Sequence, residues 1–246
     1  GGTATEVAVR RDGKRAIDPA GGQVGGWRTM VEAVAMRTTG LGGDSEVHVI
    51  DEGLQGGLTL GPRRVVPVSL MALDAPELVH AVLDEQLRSP TPGEHDARFV
   101  RKVAGMDASG IANKDVALLE RTGVTPHPVG KILRSRLEGS ALRRLVARGL
   151  VQISGPTPSD ASHVLGRLDE WDKSAAEKAM ALLSRKRSGS GDVISEDSKH
   201  MAQMIVDQLT HQTSLALLES AFEEDEHDFE LPSAQLARHI LMQRGL

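Results

Sequence analysis

The chain has 246 residues, 39% apolar and 26% charged, with a net charge of −5, enough apolar material for one large or two small cores. Cysteine is absent, which excludes disulfides, thiol nucleophiles and cysteine-ligated zinc and fits a reducing compartment. No apolar run in the sequence approaches the length of a membrane span and no leader pattern is visible, so a cytoplasmic protein is expected.

The sequence opens on Gly1-Gly2-Thr3-Ala4-Thr5-Glu6, running into the alternation Val7-Ala8-Val9. Two glycines and two threonines entering a strand let backbone N–H groups close on a phosphate while the hydroxyls add donors. The same residues also make an ordinary turn. Asp12-Gly13, between short alternating runs, marks a β-hairpin. Gly21 to Gly26 reads as a flexible connector, and Met30 to Thr39 as an apolar strand or short helix. A second glycine loop follows, Gly40-Leu41-Gly42-Gly43-Asp44-Ser45, and leads into Glu46-Val47-His48-Val49. Two such loops on adjacent strands would face one ligand. Val47 to Ile50 and Leu58 to Leu60, around a glycine-rich turn, predict another hairpin.

Leu78, Val79, Val82, Leu83 and Leu87 have helical spacing over 77–88, and Pro76 suits the first turn. Ser89-Pro90-Thr91-Pro92-Gly93 ends that helix at a compositional border. Beyond it, residues 98–150 carry 11 Lys/Arg against 4 Asp/Glu, whereas 192–230 carry 1 against 11. Helices are predicted over Asn113 to Arg121 and Ser140 to Arg148, then a short strand over Leu150 to Ile153. With Arg143, Arg144 and Arg148 this has the order of a winged helix-turn-helix that would bind DNA. A small helical packing unit fits the same residues, and the scarcity of aromatics and the acidic remainder favour it.

Pro156-Thr157-Pro158-Ser159-Asp160 turns from loop into helix, with Ser159 or Asp160 placed to cap it. Asp160 and His163 lie three apart on one face of that helix. The spacing serves a carboxylate that orients an imidazole for general-base or metal chemistry; it also serves a cap beside a buried histidine. Ser174 to Glu177 is a capping-box pattern opening a helix that Arg185, Lys186 and Arg187 end. A long helix over 196–224 carries Met201, Ile205, Leu209, Leu217, Ala221 and Phe222 as its apolar stripe, and a last helix is expected over 233–244.

Three blocks, GGTATEVAV, GGWRTMVEAVAMRTTGLGGDSEVHV and GPTPSDASHVLGRLDEWDKSAAEKA, resemble consecutive stretches of the hydantoinase/oxoprolinase A family, in the superfamily of actin, sugar kinases and heat-shock chaperones. The resemblance implies a mixed α and β fold. Residues 1–94 and 154–246 would form one lobe of an actin-like (ribonuclease H-like) ATPase, and 95–153 a helical, winged-helix-like insertion. It implies ATP-dependent opening of a cyclic amide or imide, with ATP and Mg²⁺ as cofactors and a hydantoinase B-type subunit as partner in a homo- or hetero-oligomer. In that scheme Gly1, Gly2, Thr3 and Thr5 hold phosphate oxygens, and Gly42, Gly43 and Ser45 form the adjoining wall. Asp160 and His163 line the active-site side of the lobe. Asp44 stands where most relatives carry a third glycine, which puts a negative charge close to any phosphate. A catalytically silent assembly subunit or a carboxylase-type subunit is the neighbouring reading within the family. The resemblance also implies that the chain is a piece of a longer protein, incomplete at both ends.

Overall fold

The computed structural model describes residues 4–8, 10–11, 14–15, 17–18, 23–24, 27–28, 33–34, 36–50 and 57–224. The chain is mixed α and β. It divides into two compact units, 1–43 with 207–246, and 44–206. The lobe expected from 1–94 and 154–246 is therefore split at 43/44 and 206/207, and the expected insertion at 95–153 lies inside the second unit. The last predicted helix, 233–244, falls outside the described residues.

The first unit is built from short antiparallel pairs. Its strands are β1 (Thr5–Ala8), β2 (Arg10–Arg11), β3 (Lys14–Arg15), β4 (Ile17–Asp18), β5 (Gln23–Val24), β6 (Trp27–Arg28), β7 (Ala33–Val34) and β8 (Met36–Thr39). Arg11 pairs with Lys14 across β2 and β3, the two-residue closure that Asp12-Gly13 predicts. Val24 pairs with Trp27 across β5 and β6, so Gln23 and Val24 of the predicted connector belong to a strand pair. Around it are nested β4 with β7 and β1 with β8, so the described residues of the 30–39 stretch, Ala33–Val34 and Met36–Thr39, are strand.

The second unit opens with the predicted hairpin, β9 (Ser45–Ile50) against β10 (Gly57–Arg64), with Val47 opposite Leu60 and both buried. Then follow β11 (Val66–Pro67), α1 (Val68–Asp74), α2 (Pro76–Arg88), β12 (Phe99–Lys102), α3 (Asn113–Arg121), β13 (His127–Pro128), α4 (Val129–Ile132), α5 (Glu138–Ala147), β14 (Val151–Gly155), α6 (Pro158–Val164) and α7 (Lys173–Ser184). Helix α8 (Ser198–Glu224) begins in this unit. Four strands make one sheet in the order β11-β14-β12-β13, in which β11 runs parallel to β14 and the other pairs are antiparallel. Side chains alternate across a strand, and β12 uses that alternation to serve two cores. Phe99 joins Val68, Met71, Val79, Leu83, Ala175 and Leu182 beneath α1, α2 and α7. Its neighbour Val100 joins Leu118, Val129, Leu142 and Leu145 beneath α3, α4 and α5. The 95–153 segment thus owns a core of its own, but it is not purely helical, because three of the four strands come from it or its edge.

Basic side chains at the end of α7 hold the preceding segment in place. The Arg185 guanidinium donates to the carbonyls of Gln86, Leu87 and Ser89, the last turn of α2, where an α-helix leaves its carbonyls unpartnered. Lys186 Nζ donates to the carbonyls of Gly93 and Glu94. At the start of α7 the cap is Asp172, whose carboxylate accepts from Ala175 N–H at 2.9 Å, two residues ahead of the predicted Ser174. In α8 Met201 and Ile205 are buried as expected, but Leu217 and Ala221 are exposed while Ala216 and Ser220 are buried. At 100° per residue Leu217 lies ~160° round the axis from Met201 and Ala216 only ~60°. No helix among the described residues is long and apolar enough to cross a membrane.

Candidate functional site

Of the expected phosphate-binding residues, Gly1, Gly2 and Thr3 lie outside the described residues. Thr5 opens β1 directly opposite Thr39, so the start of β1 and the loop leaving β8 share one end of the strand pair. The Thr5 hydroxyl donates to the Leu41 carbonyl at 2.9 Å, and Leu41 N–H turns back to the Thr39 carbonyl at 2.7 Å. Thr5 is thereby tied to the residue preceding Gly42, which is buried, and Gly43, which is half-buried. As one wall for a phosphate chain these residues fit, provided that an anion displaces the Leu41 carbonyl from the hydroxyl. Ser45 does not fit: it is fully buried in the other unit, opposite Arg64. For Mg²⁺, the described residues gather no group of three His, Asp or Glu. The charge on Asp44, expected to oppose a phosphate, is paired with Arg64, Nε to Oδ2 2.9 Å.

Asp160 and His163 are both completely buried, and the carboxylate does not orient the imidazole. Asp160 accepts five hydrogen bonds. Oδ1 takes Ser69 N–H at 2.8 Å and the Ser69 hydroxyl at 2.6 Å. Oδ2 takes Val68 N–H at 3.2 Å, Thr157 N–H at 3.0 Å and the Thr157 hydroxyl at 2.8 Å. Thr157, not Ser159 or Asp160, is the cap of α6, and Asp160 closes the reciprocal half of a capping box. The same carboxylate also satisfies the first two amides of α1, so one side chain caps two helices. Complete burial pushes its pKa upward, against the pull of the donors. His163 is equally committed. Its Nε2 accepts from Trp171 N–H at 3.1 Å, its Nδ1 faces the Ser159 carbonyl at 2.8 Å, and its ring stacks on Trp171 with centroids 5.2 Å apart. The proton therefore sits on Nδ1. This arrangement makes the pair positioning groups for the 154–172 segment, with no lone pair left for a substrate.

A cleft of about 880 Å³ in the second unit brings together residues that sequence reasoning did not select. Its floor is β9, where Glu46 is buried under two guanidiniums: Arg98 Nη1 meets Oε1, and Arg63 Nε lies 3.1 Å from Oε2. His48 Nε2 stands 3.6 Å from the same Oε2. Burial lowers the pKa of His48, with Arg98 and Arg63 adding to the effect against the attraction of Glu46. Burial likewise lowers that of His95, aided by Arg98 and Lys186 and opposed by Glu94 and Asp96. Both imidazoles are thus held toward the neutral form. The lining includes Arg134 and Arg136 from the α4–α5 connection, Arg143 from α5, and Lys186 and Arg187 after α7. The only hint in the sequence was a glutamate within a buried alternating strand. Its partner Arg98 is 52 residues away and no local pattern announces it.

The predicted basic DNA-reading helix is taken apart by its contacts. The two predicted helices are α3 and α5, with β13 and the four-residue α4 between them and β14 after them. Arg144 forks onto Asp115, Nε to Oδ2 2.9 Å and Nη2 to Oδ1 2.6 Å, and fastens α5 to α3. That hydrogen-bonded pairing holds the Asp115 carboxyl below its usual range in spite of burial. Arg148 donates to the Ser109 carbonyl at 2.8 Å, and only Arg143 turns into the cleft. Compared with known proteins, the chain matches no family model, no curated protein and no solved structure.

Proposed function

We propose that the chain forms part of an ATP-dependent cyclic amide or imide hydrolase, one lobe of an actin-like ATPase that works with Mg²⁺ and a hydantoinase B-type subunit. The observation that carries this reading is the antiparallel register of Thr5 with Thr39 and the bond from Thr5 to Leu41. It joins the start of the first glycine-rich stretch to the second glycine loop, the arrangement a pair of phosphate-contacting loops requires. ATP would supply a phosphoryl group to the ring carbonyl oxygen and so create a leaving group for ring opening by water. The chain's own part is to hold phosphate oxygens on the backbone of Gly42 and Gly43 and on Thr5, with Gly1, Gly2 and Thr3 extending that wall. Asp160 and His163 act one step away, by fixing the loop that leads into α6. The DNA-binding alternative has less support, because two of its three arginines are consumed by α3 and the Ser109 carbonyl.

The test is ADP release by the full-length protein with Mg²⁺, a B-type subunit and a panel of hydantoins, 5-oxoproline and related lactams. Ring-dependent release is expected, with Thr5→Val slowing it roughly tenfold or more, as losing a phosphate-wall donor does. Absence of release on every ring with both subunits present would turn the reading toward a silent or carboxylase-type subunit. Full activity in Thr5→Val would remove the role given to this wall.

A further inference from the structure

The cleft in the second unit presents a density of positive charge that internal contacts do not use up. Arg98 is matched by Glu46, and Asp96 is turned into its own loop, where Oδ2 accepts from Gly93 N–H at 2.7 Å. Arg187 donates to the Gly191 carbonyl at 2.6 Å, and Lys186 to those of Gly93 and Glu94, and the Glu94 carboxylate lines the same cleft. The guanidiniums of Arg134, Arg136 and Arg143 make no side-chain hydrogen bond or salt bridge with any described residue, though the charge of Arg134 acts on the Glu138 carboxylate. Three forked donors gathered in one concave site cost stability through mutual repulsion unless an anion completes them.

We propose that this cleft binds a compact polyphosphate-bearing small molecule. Its volume of about 880 Å³ falls within the roughly 300–1,000 Å³ of small-molecule sites, so the ligand is a molecule taken into a cavity. A phosphoryl group spreads its oxygens tetrahedrally and can be approached by several guanidiniums at once. A carboxylate holds its two oxygens in one plane and is saturated by a single fork. The lining holds no Phe, Tyr or Trp, so there is no platform on which successive bases of a single strand would stack. Arg144 and Arg148, which would prolong a track for a nucleic-acid backbone, are tied down within the fold. The proposal stands apart from the hydrolase reading, because none of the residues given to the glycine loops lines this cleft.

Titration calorimetry of the 246-residue protein with inorganic tripolyphosphate, without metal, at about 0.15 M salt tests it. Saturable binding is expected, with orthophosphate and citrate each at least tenfold weaker. Arg136→Gln with Arg143→Gln should weaken tripolyphosphate binding at least tenfold, while the Lys pair at both positions recovers part of it. Lys114→Gln removes an exposed charge outside the cleft and should bind as the unaltered protein does. Equal affinity in the Gln pair, with an unchanged melting temperature, overturns the assignment of the site. Citrate binding as tightly as tripolyphosphate overturns the phosphate chemistry. Duplex DNA binding more tightly than tripolyphosphate at equal phosphate concentration, and losing that affinity in the Gln pair, overturns the small-molecule reading in favour of a nucleic-acid surface.

Discussion

Replacing Asp160 by Ala has a cost that follows from the five bonds the carboxylate accepts. Three of the donors, Val68, Ser69 and Thr157 N–H, are backbone amides fixed at helix starts. The two hydroxyls, of Ser69 and Thr157, can rotate to other acceptors. The three stranded amides cost roughly 1–3 kcal/mol each, about 3–9 kcal/mol together, and relief from burying a charge offsets part of that. A net loss of about 3–5 kcal/mol is expected, a large fraction of a typical domain's stability. Asp160→Asn should fare little better, because the amide keeps one acceptor oxygen and aims an NH2 at groups that are themselves donors. Ser69→Ala and Thr157→Val, which each remove one hydroxyl donor and leave the carboxylate paired, should cost about 1 kcal/mol apiece. The assay is urea unfolding followed by circular dichroism, with the slope against denaturant checked for constancy. A loss below 1 kcal/mol in Asp160→Ala would refute the argument that this side chain ties α1 to α6. A normal fold with abolished turnover would return Asp160 to the role of a reactant.

Other substitutions probe the remaining contacts. His48 and His95 have native pKa values below the ordinary histidine value, so below about pH 6.5 the unfolded chain takes up protons that the native one does not. Stability should therefore fall as pH drops from 6.5, and the double variant His48→Gln with His95→Gln should show a shallower fall in urea midpoints; parallel curves would contradict it. Phe99→Ala, at a fully buried position in the sheet, should cost about 3–5 kcal/mol in thermal or urea unfolding, and a loss under 1 kcal/mol would mean that the core under α1, α2 and α7 does not depend on it. Arg185→Gln removes the donor to three carbonyls at the end of α2; about 1–2 kcal/mol should be lost, with faster amide exchange in that last turn, and unchanged exchange would show the carbonyls to be satisfied by solvent.

Local signals were legible in proportion to how local their causes are. Asp12-Gly13 needs only its own turn geometry, and the β2–β3 pairing follows. Helix α3 was read to its ends and α2 from its proline onward, because apolar period and end residues are written in the same dozen positions. Strand β12 was missed: four residues, Phe-Val-Arg-Lys, have no turn signals around them and become a strand only by pairing with β14, about fifty residues on. Helix α1 was missed for a related reason. Its first amides are satisfied by Asp160, 91 residues away, so no cap is visible beside it. The spacing of Asp160 and His163 was correctly seen as placing them on one helix, but spacing says nothing about what lies opposite. Here the opposing groups are the start of α1 and the Trp171 amide, and these absorb the capacity a reactant needs.

The same limit governs charge. Counting gives residues 98–150 an excess of seven positive charges, from which an arginine-rich recognition helix is a reasonable expectation. The fold distributes those charges by geometry rather than by sequence proximity. Successive residues on a helix are turned by ~100°, so Arg143 and Arg144 must leave α5 in different directions. Arg144 meets the buried Asp115, while Arg143 opens on the cleft. Arg148, one turn further on, is drawn to a loop carbonyl. The cluster that the sequence shows is thereby dissolved. A different one is assembled in the cleft from Arg134, Arg136 and Arg143. Charge that has been matched internally holds helices together. Charge left unmatched and concentrated in a concavity is what recognises a ligand, and only the second kind distinguishes a binding site from a solvated face.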